Sequence, residues 1–252
     1  MSFARTVSIG TAVGWARGVE SRVYQGFIEL DGSHVGAAAE MLARAFEDDP
    51  LGVYLFPDPS ARRKVLPLMY RSMVEVALAR GSVYATSERL EGIFWVTPAP
   101  DLSPGDRSHT RSRGRARRRA STLAIIRAIA RAVTMLWQLP TVSTVRRGLR
   151  LGRGASAMGP YSRAHAGCMR LNVVAVAAAY RGQGLGGRMV RAVCREADRT
   201  GACCVLDTES EANVRMYEHL GFKLDVKVEA VPGELSFNLM SYDPAGRGPK
   251  LV

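Results

Sequence analysis

The chain is short of the residues that metal and disulfide frameworks require. It has four cysteines in 252 residues, Cys168, Cys194, Cys203 and Cys204. None forms a CxxC pair or a Cys/His cluster at zinc spacing, which excludes a zinc module. Three of them sit in apolar runs, where a cysteine serves as a small buried hydrophobe, and the expected setting is a reducing cytosol. A long uninterrupted apolar run is also missing. The best candidate, Leu123 to Leu139, carries Arg127 and Arg131 in mid-span. Two arginines at a bilayer centre would cost roughly 5–7 kcal/mol, which argues against a membrane span. The first residues, MSFARTVSIGTAVGWARG, have no apolar core of the secretory kind. A soluble, cytoplasmic protein is expected. Acidic residues are scarce, 23 against 35 Lys plus Arg, for a formal net charge of +12.

That excess is concentrated. Seven arginines and no acid lie between Arg107 and Arg119, and taking these seven from +12 leaves +5 for the rest. Such a cluster could meet phosphates, but no aromatics are interleaved with it for base stacking, so a solvated loop is favoured over a nucleic-acid or ribosome site. Helix 121–139 could lie on an anionic membrane, yet its apolar residues wrap most of the circumference and suit burial within the protein better. Hydrophobic residues at 47% and charged residues at 23% are ordinary globular usage, which rules out wholesale disorder, and no internal repeat is visible.

The chain reads as a loose arm (1–22), one domain (23–242) and a tail (243–252). A basic loop-plus-helix insertion falls at about 101–160, and the stretch up to Gly159 is read as basic and glycine-rich rather than helical. In the N-terminal half the pattern predicts a strand at Val23–Leu30, a helix capped by Ser33 and an acidic stop at EDDP (47–50). A helix at Ser60–Arg80 and a hairpin from Ser82–Thr86 and Gly92–Thr97 follow. In the C-terminal half it predicts a strand at Leu171–Ala177, a helix at Gly184–Thr200 and a strand at Cys203–Thr208. These three make a βαβ unit, hence parallel strands with a right-handed crossover. A short helix at Ala212–Leu220 and a hairpin of Phe222–Val231 with Leu235–Tyr242 close the domain.

The strand-to-helix junction reads VAVAAAYRGQGLGGRMV (174–190). Gly182, Gly184, Gly186 and Gly187 lie where the chain enters a helix. There they permit left-handed backbone angles and keep side chains away from amides that point outward at a positive helix end, a cradle for pyrophosphate. Two other phosphate folds are excluded. Gly187 is followed by Arg188-Met189, not by the lysine and hydroxyl of a P-loop. The motif also arrives past residue 180, too late for a dinucleotide fold's first strand.

The pattern Arg181-x-x-Gly184-x-Gly186 after a strand ending in Val174-Ala175-Val176 resembles the acetyl-coenzyme-A motif of the GNAT superfamily of N-acetyltransferases. ANVRMYEHLGFK (212–223) is similar to that superfamily's second signature, Asn-x-x-x-Tyr-x-x-x-Gly-Phe, and begins at Asn213, 27 residues after Gly186. Over 23–100, the FEDDP and FWVTP segments look most like the puromycin-acetyltransferase-like branch. Where that branch often has a His-Trp-Tyr-Leu-type lead-in to the cofactor strand, this chain has Cys168-Met169-Arg170-Leu171.

The resemblance implies an α/β (α+β) fold: a mixed, mostly antiparallel sheet with a splayed parallel strand pair and flanking helices. It implies acetyl-CoA as co-substrate, no metal, and transfer of an acetyl group to a primary amine of a small molecule by direct attack. A protein or peptide amine, or a basic binding protein that uses acyl-CoA only as a ligand, is the alternative. A monomer or homodimer is expected. Carried over to this sequence, Val174, Ala175 and Val176 would pair with the pantetheine arm. Arg181, Gly182, Gln183, Gly184, Leu185, Gly186 and Gly187 would hold the pyrophosphate. Asn213 would bond the pantetheine side, and Tyr217 would protonate the departing thiolate. A phenol with a pKa near 10 can lend that proton. For the base, Glu209 at the end of the second strand is preferred over Glu211, and over His165, read as a solvated loop residue.

Overall fold

The computed structural model describes residues 19–20, 23–80, 82–99 and 142–244. The expected Arg107–Arg119 loop and the helix at 121–139 lie outside the described residues. Among the described residues, eight strands form one sheet in the order β1-β2-β3-β4-β5-β6-β8-β7. They are β1 (Val19–Glu20), β2 (Ile28–Glu29), β3 (Ser82–Ala85), β4 (Gly92–Thr97), β5 (Met169–Val176), β6 (Cys204–Thr208), β7 (Lys223–Val231) and β8 (Leu235–Tyr242). Every neighbouring pair is antiparallel except β5 with β6. The mostly antiparallel sheet with one parallel pair is as expected.

The helices are α1 (Val35–Ala45), α2 (Pro50–Leu55), α3 (Pro59–Arg80), α4 (Val142–Ala155), α5 (Gly159–Ala164), α6 (Leu185–Thr200) and α7 (Glu211–His219). On one face of the sheet α6 and α7 bury Met189, Val190, Val193, Val214 and Tyr217 against Phe94, Leu171, Cys204 and Leu206. On the other face α1 and α3 bury Leu42, Leu66 and Val74 against Val83, Ile93 and Trp95. Beside them α2, α4 and α5 cover Val205, Phe237 and Leu239. No helix among the described residues is long and apolar enough to cross a membrane.

Several local expectations are corrected. The predicted strand Val23–Leu30 shrinks to Ile28–Glu29, because Gly26 takes φ +77° and turns the chain so that Tyr24 and Phe27 pack onto Phe94. Asp31, not Ser33, caps the next element, a 3₁₀ turn that runs into α1. Its carboxylate accepts from the Ser33 amide at 2.8 Å. EDDP does not merely stop a helix: Asp49 caps α2 with Pro50 at its first position, the arrangement that starts helices. The glycine-rich stretch before Gly159 is helical as α4. Its glycines lower helix propensity, but packing against β7 outweighs them. Cys168 and Cys203 are joined by a disulfide, with Cα atoms 4.7 Å apart, whereas four separate thiols were expected. A disulfide persists in oxidising surroundings, and in a reducing compartment belongs to the transient, redox-active class.

Candidate functional site

The site is built by a fault in the sheet. Along β4, Trp95 pairs with Val173 and Val96 with Leu171, so Asn172 is left over as a bulge. An extra residue shifts the two-residue alternation of side chains. Met169 and Leu171 before the bulge, and Val174 and Val176 after it, therefore all face α6, while Val173 and Ala175 turn to the α1–α3 side. On its other edge β5 pairs with β6 only at Met169–Cys204 and Arg170–Val205. Beyond that the strands part, and the edge of β5 from Leu171 onward has no ladder partner on the β6 side among the described residues. Such an edge is a template for an extended ligand with alternating donors and acceptors.

The gap opens into a cleft of about 830 Å³. Of the residues singled out from sequence, Val174, Val176, Arg181, Gly182, Gly184, Leu185, Gly186, Gly187, Asn213 and Tyr217 line it. Ala175 does not; it is buried on the opposite face. Gln183 does not either, and its amide reaches back to the Ala179 carbonyl at 3.4 Å.

Gly182 and Gly184 hold φ +76° and +75°, and Gly184 is the N-cap of α6 in the left-handed conformation. Among the described residues, the amides of Gly182 to Gly187 bond to no other group, consistent with the unpaired donors at a helix start. A Cβ at Gly182 or Gly184 would meet nothing within 4 Å, so the space above these amides is open. Amides, space and dipole suit a pyrophosphate. The Arg181 side chain is otherwise engaged: Nη2 donates to the Ala45 carbonyl at 2.8 Å and ties the loop to α1.

The sequence reading missed Arg191, Arg215 and His219, which line the same cleft, and the two arginines add positive charge there. Arg191 lies one turn beyond Gly187 on α6, a spacing that could have revealed it.

Asn213 and Tyr217 are four apart on α7 and so share a face. The Asn213 side chain donates to Thr208 Oγ1 at 3.3 Å. Tyr217 is 7% exposed, its ring edge-on to Phe222, and its hydroxyl has no hydrogen-bond partner among the described residues. Burial, and then the charges of Asp207 and Glu209, push its pKa upward. The phenol therefore stays protonated, the form that donates.

Glu209 lies outside the 830 Å³ cleft, where β6 ends. It is reached by water but flanked by protein, and burial raises its pKa to about 7, with the charges of Asp49 and Asp207 adding. A carboxylate with that value is half ionised at neutral pH and can take a proton there. Three neighbours escaped the sequence reading. Asp49 has its pKa raised by burial. Tyr70 on α3 is raised by burial and then by the charges of Asp49 and Glu209. Asp207 is raised by burial and lowered by Arg170, whose Nη1 sits 2.9 Å from Asp207 Oδ1 across the gap.

The other candidate bases are used elsewhere. Glu211 pairs with Lys227 at 2.7 Å, which lowers its pKa. His165 is corrected from a solvated loop residue: it is 6% exposed, its ring centroid 4.0 Å from that of Tyr161 with the planes tilted by 32°, and Nδ1 donates to the Tyr161 carbonyl at 2.9 Å. It lines a second cavity of about 300 Å³ with Thr97, Ser162, Cys168 and Arg170. No cluster able to hold a metal occurs among the described residues.

Residues 149–224, which contain both sequence motifs, match the acetyltransferase (GNAT) domain family. Solved acetyltransferases share the fold. A Corynebacterium glutamicum protein described as histone acetyltransferase HPA2 and related acetyltransferase superposes with a TM-score of 0.52 at 13% identity, covering 86% of this chain and 95% of that one. A putative arylalkylamine N-acetyltransferase 7 from the yellow fever mosquito gives 0.51 at 13% identity, covering 86% of each chain. No curated protein matches the chain in sequence.

Proposed function

We propose that the protein is an acetyl-CoA-dependent N-acetyltransferase that moves the acetyl group to a primary amine of a small molecule by direct attack. The observation that carries this reading is the splay of β5 from β6. It is bordered on one face by the open glycine amides of the α6 N-terminus and on the other by Glu209. A ligand threaded through such a gap has its phosphates on one side of the sheet and its acyl end towards the other. Acetyl-CoA supplies the activated acyl group. The amides of Gly182 to Gly187 would hold the pyrophosphate, with Arg191 and Arg215 nearby. The free edge at Val174 and Val176 would pair with pantetheine, beside Asn213.

In the reaction, Glu209 takes a proton from the acceptor ammonium, leaving a nitrogen lone pair. That pair forms the C–N bond as the C–S bond breaks and its electrons pass to sulfur. Tyr217 gives sulfur a proton, and the proton lost by nitrogen restores the balance. The FEDDP and FWVTP segments support the puromycin-acetyltransferase-like branch, and the domain as a whole is read as 23–242. Release of free thiol from acetyl-CoA in the presence of a panel of amines tests the reading. Amine-dependent release is expected. Absence of any release, together with no rise in melting temperature at millimolar acetyl-CoA, would overturn it.

A further inference from the structure

The cavity of about 300 Å³ beside α5 takes no part in the transfer, yet it brings a disulfide and an imidazole together: Cys168 and His165 both line it, with Ser162, Thr97 and Arg170. One turn sets the first two there. α5 ends at Ala164, and the Cys168 amide donates to the His165 carbonyl at 3.0 Å, so both side chains leave the same tight turn. His165 is buried, its Nδ1–H is committed to the Tyr161 carbonyl, and Nε2 makes no hydrogen bond among the described residues. In the neutral ring Nε2 then carries the lone pair. Cys203, the other half of the disulfide, does not line the cavity. From this side one sulfur is approached and the other is not.

A disulfide opens when a thiolate attacks one of its sulfurs, and a thiol becomes a thiolate only when something takes its proton. The Ser162 and Thr97 hydroxyls are too weakly basic, and Arg170 is a permanent cation held 2.9 Å from Asp207. His165 is the base that remains. About 300 Å³ is the volume of some ten waters, room for a small organic thiol and not for a segment of another protein. We propose that this cavity is a thiol–disulfide exchange site for low-molecular-weight thiols, with His165 as the base and Cys168 as the sulfur attacked. The thiol S–H gives its proton to His165 Nε2 as its sulfur bonds to Cys168 Sγ. The Cys168–Cys203 bond breaks, its electron pair leaves on Cys203 Sγ, and the proton passes to that thiolate. A second thiol attacks the mixed disulfide and frees Cys168, so two thiols are oxidised to their dimer as one disulfide is reduced. The step needs neither acetyl-CoA nor an amine, and it stands apart from the acetyltransferase reading.

The test is timed exposure of the full chain to 2-mercaptoethanol at pH 7, quenched by alkylation and read by peptide mass spectrometry. The first product should carry the thiol on Cys168 and the alkyl group on Cys203. An ordinary thiol with a pKa near 8.5 is about 3% ionised at pH 7, so a base beside it can raise the rate up to about 30-fold. His165→Gln should therefore slow the exchange by about 10–30-fold. With 2,2,2-trifluoroethanethiol, whose fluorines leave it largely ionised already, the same change should slow it by about threefold or less. A purely structural role for His165 would move both rates equally. Ala166→Phe, at an exposed position on the cavity wall, should slow both thiols by about threefold or more by narrowing access to Cys168. A first adduct on Cys203, equal losses for the two thiols in His165→Gln, or an Ala166→Phe protein as fast as wild type would overturn the proposal. Alkylation of Cys168 and Cys203 before any thiol is added would overturn it too.

Discussion

Replacing Glu209 by glutamine should make the protein more stable at high pH and nearly inactive. The carboxyl stands at about 7 against the 4.5 usual for glutamate, chiefly because burial disfavours its charged form. Its folded pKa is raised, so the stabilising contribution is complete below about pH 4.5. It is lost as the pH rises to about 7 and is fully absent above that. The difference between the two values corresponds to about 3 kcal/mol. Water reaches the group through the open gap, which reduces this to about 1–2 kcal/mol. Glutamine cannot ionise and escapes the penalty. Denaturant unfolding of both proteins at pH 4, 6 and 8 should show Glu209→Gln gaining nothing at pH 4 and about 1–2 kcal/mol at pH 8. In the wild type, kcat/KM should rise with pH through about 7. In the variant that rise should vanish, with kcat lower by about 10²–10⁴-fold. A stability difference independent of pH, with activity retained, would refute both the buried charge and the base.

Tyr217→Phe should lower kcat by about 10²–10⁴-fold and leave the acetyl-CoA thermal shift intact. Because the hydroxyl makes no hydrogen bond in the described structure, stability should stay within about 0.5 kcal/mol, and a change in stability alone would mark a packing role. Gly184→Val should abolish the thermal shift given by coenzyme A, since a β-branched residue resists φ +75° and its side chain would fill the cradle. A retained shift would count against the amides as the phosphate site. Mass spectrometry after alkylation should find no modified cysteine in the native protein, two after denaturation without reductant and four after reduction. The two are Cys194 and Cys204, buried, with pKa values pushed up to about 11 and about 12. Four labels without reductant would show the 168–203 bond to be unformed.

The parts of the fold that follow from local pattern were readable. α6, with its glycine N-cap and amphipathic face, and the β7–β8 hairpin at Pro232-Gly233 fall where periodicity and turn residues put them. Asn213 and Tyr217 came together for the same reason, a four-residue spacing on one helix. What escaped depends on distant contacts. The valine-rich run of β5 hides the bulge at Asn172, because a strand apolar on both faces gives no alternation to interrupt. Asp49 reads as part of an acidic stop, and Tyr70 as one position within the helix at Ser60–Arg80. Only folding sets both beside Glu209, 160 residues beyond Asp49. The cradle is local and legible; the acceptor side is assembled from three separate stretches and is not.

The Cys168–Cys203 bond lies immediately before the two rungs that join β5 to β6, and the Met169 amide donates to the Cys203 carbonyl at 2.8 Å beside it. Mechanically, this makes the open gap a pair of tweezers riveted at the pivot. The rivet leaves the tips at Val176 and Glu209 free to spread, but the arms cannot slide lengthwise past one another. A ligand pushed between them would change the angle and not the register, so Tyr217 and Glu209 would stay level with the same point on β5 at every degree of opening. Cutting the rivet adds sliding to spreading. The cost would then be felt in the alignment of acid, base and acyl carbon before it was felt in the melting temperature.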